Sequence, residues 1–254
     1  MSNFALQMLT AQRKKEIISL KQKKYRQRYK QFVVEGEKSV IELCRSTYKV
    51  SEILLTQTVF ERIGEQLINQ NLLIINKQDS EQISNLETSP GILAVSNFKE
   101  TELKALTFNQ KFTLVLDAIS DPGNLGTIIR IADWYGIESV ICSENCVDFY
   151  NPKTIAATMG SFSRVQVVYT DLIAFLKKTP LPSFACVMDG ISLSETLKQK
   201  PKEGFIIIGN EANGIHESLL NLVSDKMTIP RFGQAESLNA AIATAIVCHS
   251  LIAT

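Results

Sequence analysis

Three short segments of this 254-residue chain combine residue types that can act on a ligand. The first runs from Asp117 through Asp121, Pro122 and Gly123 to Asn124, Gly126 and Arg130. An apolar run ends there, a Pro-Gly turn follows and a helix begins, with Asn124 expected at its N-cap. Leu125, Ile128, Ile129 and Ala132 form the apolar stripe of that helix, and Arg130 falls outside it. Arg130 therefore either points into a cleft at the strand's carboxyl end or pairs on the surface with Asp133 or Glu138. The second segment is Gly209, Glu211 and Gly214, directly after the apolar run 205–208. Glycines at a strand's end let main chain approach a ligand closely. The plainer alternative is a strand-to-helix turn with Glu211 at the helix N-terminus. A phosphate-cradling loop fits poorly, because an acid is present and the usual lysine is missing. The third segment holds Ile229, Pro230, Ser237, Leu238 and Asn239. Ser237 is expected to cap a final helix with Ala240, Thr244, Val247, Cys248 and Leu251 on one face. Asparagine is a poor helix former, so Asn239 in a first turn points to a polar contact.

These segments need strands to present them, and the hydropathy pattern supplies candidates. Strand-length segments stand at 112–116, 140–142, 165–169, 185–188 and 205–208, and several of them are continuous apolar runs, as parallel strands covered on both faces should be. Helices fit between them, which predicts an open α/β sheet. Before it, helical character to about residue 28, strands at 32–35, 53–55, 72–75 and 92–95, and helices at 38–46 and 59–69 predict a smaller α/β unit. The polar stretch 99–111 is the expected linker. The division is thus a domain over 1–100 with a basic N-terminal helix, and a second over 108–254.

Charge narrows the function classes. The formal total is only +1, yet between Arg13 and Lys30 nine basic residues face the single acid Glu16, a local charge of +8. Such a segment on an otherwise acidic chain is a footprint for phosphates, with Arg13, Lys14, Lys23, Lys24, Arg26 and Arg28 as candidate RNA contacts. Tyr25 and Tyr29 lie among them and can stack on bases; the alternative is a solvated helix face with both tyrosines in the core. Five scattered cysteines are expected to be small buried apolar residues. Cys142 and Cys146, with no histidine near, make a zinc site unexpected, so no metal is anticipated. No apolar run has bilayer length and no secretory leader is visible, which predicts a cytoplasmic protein without membrane contact. Neither the G-x-G-x-x-G fingerprint nor a lysine-bearing phosphate loop is present, which disfavours a nucleotide-dependent enzyme.

Taken together in this order, Asn124-x-Gly126-x-x-x-Arg130, Gly209-x-Glu211-x-x-Gly214 and Ile229-Pro230 with Ser237-Leu238-Asn239 resemble the three motifs of the SpoU-type (TrmH-like) RNA 2′-O-ribose methyltransferases of the SPOUT superfamily. The likeness covers most of 112–254. The run Phe32-Val33-Val34-Glu35-Gly36 is similar to the ribosomal-protein-like substrate-binding domain that precedes many such catalytic domains. The resemblance implies an α/β knot domain with a deep trefoil. It implies S-adenosylmethionine held at Gly209, Gly214, Ile229, Pro230 and Leu238. It implies that Arg130 is essential, contacting RNA phosphate, with Asn124, Glu211, Ser237 and Asn239 orienting it and the ribose. It further implies a homodimer through the catalytic domain and 23S rRNA as substrate. A transfer RNA substrate and a non-catalytic RNA-binding module are the alternatives.

Overall fold

The computed structural model describes residues 9–199 and 201–253. The ends of the two expected domains, residues 1–8 and Thr254, lie outside the described residues, as does Lys200. The chain forms two compact units, one of residues up to Glu100 with Tyr150–Ser163, the other of Thr101–Phe149 with the chain from Arg164 on.

The first unit begins with α1 (Ala11–Ser19) and α2 (Lys23–Tyr29), then β1 (Gln31–Glu35), α3 (Glu37–Cys44), β2 (Val50–Thr56), α4 (Gln57–Ile63), β3 (Leu72–Ile75), α5 (Lys77–Ile83) and β4 (Ile92–Asn97). The sheet order is β1-β4-β2-β3, with β4 antiparallel to both neighbours and β2 parallel to β3. The expected basic helix is two helices, α1 capped at Leu20 and α2 starting after Gln22, whose extended backbone breaks the run. Arg26 lies beneath that break. It is 2 % exposed, and its Nη1 donates to the carbonyls of Leu20 and Lys21, each at 2.8 Å. Ile17, Leu20, Val33, Leu54, Ile75, Ile83, Leu93 and Val95 make the core on one face. The expected helix at 59–69 starts earlier and tightens into a 3₁₀ turn at Gly64–Leu67. Residues 150–163, expected in the second domain, cluster with this unit through their aromatic rings. Tyr150 stacks on Phe98 at 4.1 Å between centroids and 10°, and Phe162 meets Phe32 and Tyr48 edge-on.

The second unit contains β5 (Phe112–Leu116), α6 (Pro122–Trp134) and β6 (Ser139–Cys142); α7 (Pro152–Thr158) is the helix counted with the first unit. Then come β7 (Gln166–Tyr169), α8 (Leu172–Lys178), β8 (Ser183–Ser192), α9 (Leu193–Lys198), β9 (Gly204–Ile208), α10 (Glu217–Leu220), β10 (Asp225–Thr228) and α11 (Ala240–Ile252). The six strands are all parallel in the order β10-β8-β9-β5-β6-β7. Every residue of β5 and β9 is buried. Val115, Phe205 and Ile207 pack against Phe175, Leu176 and Leu219 on one face, while alternate residues Leu114, Leu116 and Ile206 are buried on the other. Each such buried side chain contributes about 1.5–3 kcal/mol relative to exposure, so these central strands form a rigid base for the loops that leave them. The linker stretch is not idle: Leu103, Leu106 and Phe108 pack on this core, with Phe108 edge-on to Phe175 and Phe205.

Candidate active site

The order of the parallel sheet reverses direction between β5 and β9, and ligands of open α/β sheets bind beyond the carboxyl ends of strands at such a point. The chain leaving β5 makes a strained turn there. Ala118 sits at φ +53°, a conformation that costs a residue bearing Cβ roughly 1–2 kcal/mol. Both neighbours hold it. Its N–H donates to Ser143 Oγ at 2.9 Å, and its carbonyl accepts from Asn210 Nδ2 at 2.8 Å. Asp117, 8 % exposed, ties the same strand end to the other loop by accepting from the His216 N–H at 2.8 Å.

The loop after β9 is closed on itself. Asn210 and Gly214 exchange two main-chain hydrogen bonds of 3.0 and 2.9 Å, and Asn210 Oδ1 accepts from Ala212 N–H at 2.9 Å. A Cβ on Gly209 would lie 2.3 Å from the Gly214 carbonyl carbon, so only glycine allows this closure. Gly214 takes φ +67°, the left-handed region that glycine adopts without strain. Glu211 is held out from the loop between these two glycines.

Helix α6 does not begin as its sequence suggests. Asp121, not Asn124, is the N-cap, accepting from the Asn124 N–H at 2.8 Å with Pro122 in the first turn. Asn124 is thereby freed from capping, and its side chain reaches outward. Its Nδ2 donates to Glu211 Oε1, and its Oδ1 accepts from Asn239 Nδ2 at 2.9 Å. Asn239 in turn, rather than Ser237, is the N-cap of α11: its Oδ1 accepts from Ala241 N–H at 2.9 Å. One amide thus uses its oxygen for the helix and its nitrogen for the site. The polar contact expected for Asn239 is this one. Ser237 is exposed and stands free of α11.

A cleft of about 700 Å³ opens beside this chain of side chains. Its walls include Gly209, Glu211, Gly214, Ile229, Pro230, Ser237 and Leu238. The sequence reading missed Cys186, Val187 and Met188 on the opposite wall. They line it because β8 leaves β10 after Ala185 and rejoins at Ile191. Gly190 permits the return, since a Cβ there would fall 2.7 Å from the Lys226 main chain. That glycine, two residues past the expected strand end, was the available signal. Burial pushes the Cys186 thiol up to about 11, so it is a neutral wall rather than a nucleophile. The cleft's cation, Arg231, turns to the Ala235 carbonyl at 3.3 Å, while Glu211 and Glu236 put negative charge on the wall. Apolar faces, exposed main chain at Gly209 and two acids suit a flat aromatic ring with a cationic tail.

Arg130 is exposed and makes no hydrogen bond or ion pair among the described residues. Both carboxylates that could have paired with it are taken. Asp133 binds Arg164 at 2.8 Å, and Glu138 binds Lys111 at 2.7 Å. Arg130 is also absent from the cleft wall. The basic candidates of the first unit divide. Arg26 is buried and spent on main-chain carbonyls, which corrects its expected place at RNA. Arg13 is bound by Glu16 and Glu52, and Lys14 by Asp79. Lys23, Lys24 and Arg28 are exposed. Of the cysteines, Cys142, Cys146 and Cys248 are buried as expected, and Cys44 and Cys186 are half-buried. Among the described residues no cluster of three or more His, Cys, Asp or Glu is placed to hold a metal, and no helix is long and apolar enough to cross a membrane.

Comparison with known proteins agrees with this geometry. The SpoU rRNA Methylase family matches residues 111–249, and the MRM3-like substrate binding domain matches residues 12–94. The 23S rRNA (guanosine(2553)-2′-O)-methyltransferase RlmP of Bacillus subtilis is 31 % identical over 94 % of this chain and 96 % of its own. A solved TrmH-family structure from Porphyromonas gingivalis superposes with a TM-score of 0.82 at 32 % identity, covering 96 % of this chain and 98 % of the other. An AdoMet-bound rRNA methyltransferase from Sinorhizobium meliloti superposes with a TM-score of 0.85 at 27 % identity, covering 97 % and 96 %. With its motifs joined at the ends of β5 and β9 and its likeness running the length of both units, this chain belongs to the SpoU rRNA methylase family.

Proposed function

We propose that this protein transfers a methyl group from S-adenosylmethionine to a ribose 2′-hydroxyl of 23S rRNA, in the cytoplasm and as a homodimer. The observation that carries the reading is the series Asn239–Asn124–Glu211. It links one side chain from each of the three motifs and ends on the wall of an apolar cleft. Ribosomal RNA is favoured over transfer RNA by the likeness to the Bacillus subtilis enzyme along both chains. A non-catalytic module is disfavoured because Asn124, Arg130, Glu211, Ser237 and Asn239 are all present.

The residues fit the cofactor. Ile208, Ile229 and Leu238 offer apolar faces to an adenine, main chain at Gly209 and Gly214 offers polar edges, and Glu211 and Glu236 favour a cation. When bound, S-adenosylmethionine supplies an electrophilic methyl group on a sulfonium. The protein's share is placement, which can contribute roughly 7–11 kcal/mol against roughly 3–5 kcal/mol for a general base. Asn239 and Asn124 fix the Glu211 carboxylate, so the wall facing the ribose is set before RNA arrives. Ser237, free of capping, has its hydroxyl available to the ribose. Arg130, with no acid to neutralise it, holds the phosphate of the target nucleotide. A guanidinium, which keeps its proton throughout the working pH range of proteins, is an awkward proton acceptor, so we assign it that positioning role.

In the same reading the chain from Ile229 through α11 is the threaded part of a trefoil knot. Ala240 and Ala241, each 3 % exposed, are small enough for the close packing that a threaded helix needs. Trp134 on α6 is 83 % exposed, and Ile242 and Ile246 on α11 are 53 % and 36 % exposed; such apolar surface is the patch through which two copies pair. Lys23, Lys24 and Arg28 supply RNA phosphate contacts. Arg13 and Lys14, half-buried and paired with acids, are secondary. Isothermal titration with S-adenosylmethionine, with mapping of 2′-O-methyl positions in rRNA from a deletion strain, tests the reading. Micromolar binding and one lost ribose methyl in the 23S rRNA are expected. A complete methylation map in the deletion strain removes the proposal.

A further inference from the structure

The α1–α2 hairpin carries a feature that the methyl-transfer site does not use. Tyr25 and Tyr29, one turn apart on α2, lie nearly parallel, with centroids 6.3 Å apart and planes at 17°. Neither is a core residue: Tyr29 is 40 % exposed and Tyr25 half-buried. They form one side of an open groove of about 400 Å³ whose other side is α1, through Gln12, Lys15, Glu16 and Ser19. Positive charge surrounds the rings. Lys24 Nζ stands 5.7 Å from the Tyr25 centroid and Arg28 Cζ 5.7 Å from that of Tyr29. Lys15, Lys23, Lys24 and Arg28 form no ion pair with any acid among the described residues. The groove's acid is already occupied, since Glu16 accepts from Arg13 at 2.8 Å and from Gln12 at 3.2 Å. What the groove presents is a pair of parallel rings under unpaired cations, with the amide oxygen of Gln12 beside them.

We infer that this groove binds an unpaired nucleotide of the substrate RNA, its base stacked on Tyr29 and its flanking phosphates on Lys15, Lys24 and Arg28. The inference rests on the proposed RNA substrate and adds where a single-stranded part of that RNA is gripped. Charge alone would also attract an acidic polypeptide. The parallel rings decide for a base, because a π-face stacks on any base and a carboxylate gains nothing from it. Base stacking on an aromatic side chain is sequence-tolerant, so the groove anchors the RNA without choosing the nucleotide.

The test uses the full chain and a fluorescent single-stranded oligouridylate. Tyr29→Ala should weaken binding about 5- to 30-fold, and Tyr29→Phe should leave it within about twofold. The salt dependence of binding should be unchanged in Tyr29→Ala, whereas Lys24→Ala should lower its slope by about 0.7, the value of one single-strand phosphate contact. In methylation of an rRNA fragment, Tyr29→Ala should raise KM for RNA and leave kcat unaltered. Tyr29→Leu, which keeps apolar bulk, should bind as weakly as the alanine variant; a matching thermal midpoint shows that folding is not the cause. Unchanged oligouridylate affinity in Tyr29→Ala overturns the inference, as does displacement of the oligonucleotide by polyglutamate at equal charge concentration. Tyr29-dependent oligouridylate binding by a protein that methylates no RNA would retain the groove and remove the reaction.

Discussion

The two units carry their polar groups in opposite ways. In the mixed-sheet unit the cations nearest the sheet are tied down: Arg26 to two carbonyls, Arg13 to two carboxylates and Lys14 to one. In the parallel-sheet unit β9 runs out into Gly209 and the amide Asn210, Asn239 and Asn124 pass a hydrogen bond to Glu211, and Arg130 is left without a partner among the described residues. A cation that holds a fold together cannot also be lent to a ligand without breaking something. The contrast separates arginines that build this protein, such as Arg26 and Arg13, from those it keeps available, such as Arg130 and Arg28, although all stand as equal basic residues in the sequence.

The strongest way to break that contrast is Arg130→Ala. Methyl transfer should fall by about 10²-fold or more, while S-adenosylmethionine affinity by calorimetry and the thermal midpoint stay at wild-type values. A loss of folding would mean that Arg130 is structural after all. Asn239→Ser sharpens the role of the amides, because serine still caps α11 but lacks the amide nitrogen that donates to Asn124. Single-turnover rate should drop about 10- to 100-fold with little change in stability, whereas an unaltered rate would reduce the amide series to a packing detail.

Arg26→Ala addresses the other side of the comparison. One buried and one part-buried carbonyl lose a charged donor, at a cost of about 2–4 kcal/mol, which for a chain of this size lowers the midpoint by roughly 5–15 °C. RNA affinity of the folded fraction should be unchanged; a pure affinity loss at constant stability would return Arg26 to the RNA surface. The smallest effect is expected at Cys186→Ala. With its thiol raised to about 11, the native cysteine should resist iodoacetamide at pH 8, and the variant should keep activity within about threefold. Fast alkylation that abolishes transfer would give that wall a chemical part.

Much of the fold was legible because its signals are local. The largely apolar segments at 112–116 and 205–208 read as strands covered on both faces, and they are the central pair of the parallel sheet. The sites of Gly209 and Gly214 were legible for the same reason, since glycine's backbone freedom is a property of the residue itself. Caps were misread, at Asn124 and at Ser237. At each end two residues that can cap stand close together: Asn124 leaves capping to Asp121, whereas Asn239 caps with its oxygen and reaches across the fold with its nitrogen. Asn124 binds a residue 87 positions away and Asn239, while capping α11, binds one 115 positions away, and no local pattern encodes either distance.

The sequence by itself determined the alternation of strands and helices, the motif residues and the concentration of positive charge near the N-terminus. Those follow from side-chain hydropathy, backbone preference and charge, which act over a few residues. Only the tertiary structure decided which of these residues are free. Arg26 is consumed by carbonyls exposed at a helix break, Asp133 and Glu138 are consumed by Arg164 and Lys111, and Arg130 is left over. Availability depends on every neighbour brought close by folding, so it belongs to the folded chain as a whole.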